Sequence, residues 1–88
     1  MSAQRLVEMV NDIAANQVAL PHEEAVELIA VHLRRFWAPS MRAGIIGHLD
    51  GGGEGLSTLG REAVDALREH ERAGDPIPPT RRGVSDAG

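Results

Sequence analysis

A chain of 88 residues makes one domain, and folding at this length buries only about 60–65% of the surface exposed by the unfolded chain, which leaves little material for a deep catalytic cavity. The absence of cysteine excludes a disulfide framework, an iron–sulfur cluster and a Cys-based zinc site. The net charge of −4 opposes general attraction to nucleic acid, no apolar run approaches the ~20 residues that cross a bilayer, and the start lacks signal-peptide order, so no membrane segment and a cytoplasmic location are expected.

Ser2 is placed to cap a first helix over about residues 3–18, in which Leu6, Met9, Val10, Ile13 and Ala14 recur at the spacing of one helix face. Gln4, Arg5, Glu8, Asn11, Asp12 and Asn16 form the opposite, solvated face. A second helix is predicted over 21–37, with Pro21 in its first turn, Glu23, Glu24 and Glu27 at its positive end, and Arg34 and Arg35 at its negative end. Its apolar residues Ala25, Val26, Leu28, Ile29, Ala30, Leu33, Phe36 and Trp37 span an arc of roughly 200°, twice the ~100° stripe that faces one core, so the helix needs covering on two sides.

Pro39 divides this helix from a third over 39–50, because it disfavours helical geometry in Ala38 and starts a new helix well. Met41, Ile45, Ile46 and Leu49 make its apolar side. Gly44 and Gly47, each costing about 1 kcal/mol against Ala, point to close backbone approach. Arg42 falls inside the apolar arc and must either reach water along its stem or meet a carboxylate. Gly51-Gly52-Gly53-Glu54-Gly55 lacks the preceding strand and the Lys-Ser/Thr of a phosphate loop, and is read as a helix stop and turn. Ser57 caps a fourth helix over 58–73 with a narrow stripe of Leu59, Ala63, Ala66 and Leu67, which places it on the outside of the bundle, and Gly74 stops it. Residues 75–88, with three prolines and little to bury, are expected to be disordered. The fold class is therefore all-α: a bundle of about four helices in residues 1–74 with a Pro-rich tail.

The four histidines never stand three or four residues apart, so no pair meets on one helix face as a metal site prefers. No catalytic, cofactor-binding or metal-ligating residue is assigned. What stands out instead is the run from His32 to Arg42, which holds both aromatic residues and three of the nine arginines, in a chain without lysine. Adjacent helical residues lie about 100° apart. Phe36, with Ile29 and Ala25, is assigned to the core, and Trp37 with Arg34, Arg35, Met41 and Arg42 to a partner-binding patch. The competing reading makes Trp37 a second core residue closing the junction of the second and third helices, and the arginines a response to the helix dipole.

Several stretches together resemble the delta subunit of the soluble NAD-dependent, molybdenum-containing formate dehydrogenase: Met9-Val10-Asn11-Asp12-Ile13-Ala14, then His32-Leu33-Arg34-Arg35-Phe36-Trp37-x-Pro39-x-Met41-Arg42, then Gly52-Gly53-x-Gly55-Leu56, then Arg61-Glu62-Ala63. The resemblance covers about residues 5–67 and is most specific in Phe-Trp-x-Pro-x-Met-Arg. The chain departs from the family pattern at Ala38 and Ser40, where an acidic residue and an Arg are usual, and at Thr58, where Pro is usual. The resemblance implies an accessory subunit that carries no cofactor and acts in assembly or stabilisation. Its implied partners are the catalytic subunits that oxidise formate to carbon dioxide, and these would hold the molybdenum cofactor, iron–sulfur clusters and FMN.

Two other classes compete with this reading. A small helix-turn-helix regulator would use the second and third helices, with Arg34, Arg35 and Arg42 on phosphates, against the negative net charge. A self-associating domain would form a homodimer through the wide apolar face of the second helix.

Overall fold

The computed structural model describes residues 2–74, which form four helices: α1 (Ala3–Ala15), α2 (His22–Phe36), α3 (Pro39–Asp50) and α4 (Thr58–Ala73). No strand occurs among the described residues, and the fold is all-α. The expectation of a disordered tail over 75–88 lies outside them.

Local chemistry sets most boundaries. Ser2 Oγ accepts from the Arg5 amide at 3.2 Å, and Ser57 Oγ accepts from the Gly60 amide at 3.0 Å, each satisfying one of the unpaired donors of a helix start. α1 stops at Ala15, earlier than the periodicity suggests. Asn16 draws its own amide onto the Ile13 carbonyl at 3.2 Å and its side chain onto the Asp12 carbonyl at 3.1 Å, which tightens the last turn. Pro21 is the residue before α2 rather than part of its first turn: its carbonyl takes the Ala25 amide at 3.0 Å, and the helix proper begins at His22. Pro39 opens α3 after a connection of only Trp37 and Ala38, both extended. Gly74, with φ of 71°, ends α4 in a left-handed turn.

The core is built from Val10 of α1, Ile29 and Leu33 of α2, Ile45 of α3, and Val64 and Leu67 of α4, all fully buried. α2 packs most extensively on α4, and α4 also touches α1 and α3. The position predicted for α4, on the outside, is thus corrected. Its buried stripe of Gly60, Ala63, Val64 and Leu67 sets two small residues beside two core side chains, and the small ones let it sit close between its neighbours. A Cβ on Gly60 would lie 3.1 Å from Val10 Cγ1, and one on Gly44 would lie 2.9 Å from Leu6 Cδ1. Close approach is therefore real at Gly44, whereas a Cβ on Gly47 would meet nothing within 4 Å. At the α2–α4 contact, His22 meets Glu62 at 2.7 Å and His70 meets Glu27 at 3.1 Å, both on the surface.

Candidate functional site

The predicted patch divides once the helices are assembled. Trp37 is a core residue, 6% exposed, whereas Phe36 is 63% exposed. The assignment of Phe36 to the core and Trp37 to the surface is thus reversed. The cause is the helix end: Trp37 has φ of −86° and ψ of 143°, so its side chain leaves the helical wheel and turns into the α2–α3 junction. Met41 is half-buried against the same cluster.

Arg34 and Arg42 also turn inward. The Arg34 side chain is nearly fully buried, and its Nε lies 3.8 Å from Glu71 Oε2, the same oxygen that Arg42 Nε approaches to 3.4 Å. Arg42 Nη1 further donates to the Trp37 carbonyl at 2.8 Å and the Arg34 carbonyl at 3.3 Å. A cation on these carbonyls satisfies acceptors that the end of α2 leaves open and complements its dipole. Arg42 therefore meets both a carboxylate and backbone oxygens, and one carboxylate from α4 neutralises arginines from α2 and α3. These two arginines are turned away from solvent, which leaves Arg35 alone of the three that the helix-turn-helix reading would set on phosphates.

The glycine loop is likewise held by side chains. Asn11 of α1 donates to the Gly55 carbonyl and accepts from the Ser57 amide, both at 2.9 Å. His48 Nε2 donates to the Glu54 carbonyl at 2.7 Å, and Arg61 donates to the Gly52 and Gly53 carbonyls at 3.0 and 3.1 Å. Gly53 has φ of 67°, and a Cβ there would stand 2.8 Å from Arg61 Nη1. The groups engaged are mainly loop carbonyls, opposite in polarity to the amides that cradle phosphate. Asn11 was assigned to the solvated face; nothing in the periodicity of α1 marks it as a clamp on residues 44 and 46 positions away. Beside this loop, Arg68 bridges Asp50 and Asp65, and the bond to Asp50 is the main cause of its raised pKa.

On the outer face, Arg35 and Phe36 remain. The Arg35 guanidinium carbon lies 5.1 Å from the centre of the Phe36 ring, and the His32 ring lies 5.0 Å from it at 46°. His32 has its pKa lowered below 6.5 by partial burial and, second, by the charge of Arg35. These three residues and Leu28 on α2, with Ile13 on α1 and Gln17 in the turn that follows it, line an open groove of about 240 Å³. Among the described residues, no group of three or more His, Asp or Glu side chains is arranged to hold a metal ion, and no helix is long and apolar enough to cross a membrane.

Residues 5–64 match the family model of the NADH-dependent formate dehydrogenase delta subunit, FdsD. The chain belongs to this family. The match spans α1, α2, α3, the glycine loop and the first part of α4, and so includes the loop clamp, the Trp37–Arg42 junction and the Phe36 face. No curated protein and no solved structure shows significant similarity to the chain. The family is named for a subunit of an NAD-dependent formate dehydrogenase, which ties the chain to the other subunits of that complex.

Proposed function

We propose that this chain is a non-catalytic accessory subunit that assembles or stabilises a cytoplasmic NAD-dependent formate dehydrogenase. In this reading the other subunits oxidise formate and carry the molybdenum cofactor, iron–sulfur clusters and FMN, while this chain contributes protein contact alone. The observation that carries the proposal, beside family membership, is how the polar residues of the family stretches are used. Asn11, Arg34, Arg42 and Arg61 are engaged in holding helices and loop to one another, while Leu28 and Phe36 are left on the surface. A domain built this way presents a face to another protein and keeps few polar groups for chemistry.

The test is to produce the complex with and without this chain. Omitting it should lower the yield of assembled complex or its molybdenum, iron and flavin content, and formate-dependent NAD reduction should fall in proportion. The purified chain should bind none of these cofactors. Normal assembly, loading and thermal stability without the chain would refute the proposal, as would stoichiometric metal, flavin or NAD on the isolated protein.

A further inference from the structure

The four large apolar residues exposed among the described residues are Val18, Leu20, Leu28 and Phe36, at 75, 37, 46 and 63%. All lie on α2 or the turn leading into it. Two of them, Leu28 and Phe36, stand together on α2 and line one groove with Ile13 and Ile29, rather than being scattered as isolated surface apolar residues normally are. The wide apolar arc of α2 is thus covered on one side by α4 and left open on the other.

Charge identifies what the open side fits. Among the described residues, Arg5, Arg34, Arg42, Arg68 and Arg72 each meet a carboxylate, and Arg61 meets two carbonyls. Arg35 meets neither: its guanidinium rests on the Phe36 ring. A cation with no carboxylate of its own beside an apolar groove suits a carboxylate brought in with apolar surface. Leu28 and Phe36 are eight residues apart on α2, about 12 Å at the helical rise, which is the reach of two turns of a docked helix.

The family makes the chain one subunit of a formate dehydrogenase complex, so the partner lies in another subunit. A helix there with an acidic residue between two apolar ones sets a carboxylate on Arg35 and apolar side chains on Leu28 and Phe36.

We infer that the face of α2 formed by Leu28, His32, Arg35 and Phe36 docks an amphipathic helix of another formate dehydrogenase subunit, with apolar side chains on Leu28 and Phe36 and a carboxylate on Arg35. This rests on the subunit reading above. The test measures binding of this chain to the remaining subunits, co-expressed as a complex, for wild type and the Arg35→Glu, Phe36→Ala and Arg72→Glu variants, with thermal melts of each free chain. Arg72 lies on the exposed face of α4, away from the groove, and serves as the control. Arg35→Glu and Phe36→Ala should each weaken binding by about tenfold or more with little change in melting, and Arg72→Glu should not. Wild-type binding should also weaken with salt, and less so in Arg35→Gln. If all variants bind as wild type does, the face is not the interface although the subunit reading stands. If wild type itself does not bind, that reading falls and takes this one with it. If Phe36→Ala instead abolishes self-association of the free chain while leaving binding to the complex unchanged, the occupant is a second copy and the inference is wrong.

Discussion

Replacing each member of the aromatic pair by Ala separates the two sides of α2. Trp37 is 6% exposed and lies in the cluster formed with Leu33 and Ile45. An aromatic of this kind buries about 150–250 Å², which at ~25 cal/mol per Å² is about 4–6 kcal/mol before the Ala methyl is credited. Large-to-Ala changes at such sites cost about 3–5 kcal/mol. A small domain holds only about 5–15 kcal/mol in total, toward the lower end at this size, so Trp37→Ala should bring the free chain close to unfolding. Phe36 is 63% exposed, so little more than a third of its surface is covered. The same conversion gives roughly 1–2 kcal/mol as an upper bound, reduced further because the unfolded chain already buries part of its apolar surface. Denaturant titration followed by far-ultraviolet circular dichroism measures both losses, and in thermal melts Trp37→Ala should lower the melting temperature by ~12 °C or more while Phe36→Ala lowers it by a few degrees. A larger loss in Phe36→Ala than in Trp37→Ala would refute the reasoning, because it would return Phe36 to the core and Trp37 to the surface.

Glu71→Ala leaves Arg34 and Arg42 facing each other's charge without the shared carboxylate, and a loss of about 2–3 kcal/mol is expected in the same titration. Gly47→Ala should stabilise the domain by about 0.5–1 kcal/mol, since a Cβ there meets nothing within 4 Å inside α3. Gly53→Ala should destabilise it by about 1–3 kcal/mol through its φ of 67° and the 2.8 Å approach to Arg61; calorimetric melts of the pair should move in opposite directions. His32 has its folded pKa lowered from 6.5, so the unfolded chain takes up a proton that the folded chain resists. Its contribution is intact above 6.5 and is lost as pH falls toward the folded value. Stability measured from neutral to mildly acidic pH should accordingly fall less steeply in His32→Gln than in wild type.

Helix number, caps and stops were legible because they are local: Ser2, Ser57, Pro39 and Gly74 act within a turn of where they stand. The width of the apolar arc on α2 also carried information, since Leu28 and Phe36 are left uncovered by the chain itself. What periodicity missed follows from two causes. A helical wheel describes only helical residues, and Trp37 leaves the helix before its direction is set. Ties between distant segments leave no periodic trace: Glu71 meets Arg34 and Arg42 across 37 and 29 positions, and Asn11 looks like any polar residue on a solvated face until residues 55–57 fold over it.

The residues that carry the family resemblance therefore sort by what they touch. Asn11, Gly53 and Arg61, from three separate stretches, meet at one loop. Trp37, Met41 and Arg42 close the α2–α3 junction, and Arg34 joins Arg42 on Glu71. Each of these has a structural reason to be the residue it is, independent of any partner. His32, Arg35 and Phe36 do not: they contact one another on an open surface, and removing their side chains should take little from the free domain. An exposed aromatic with an arginine seated on its face costs solubility and brings the isolated fold almost nothing. The benefit must lie in what covers it, so the part of the motif that the fold leaves unexplained is the part to follow toward the rest of the enzyme.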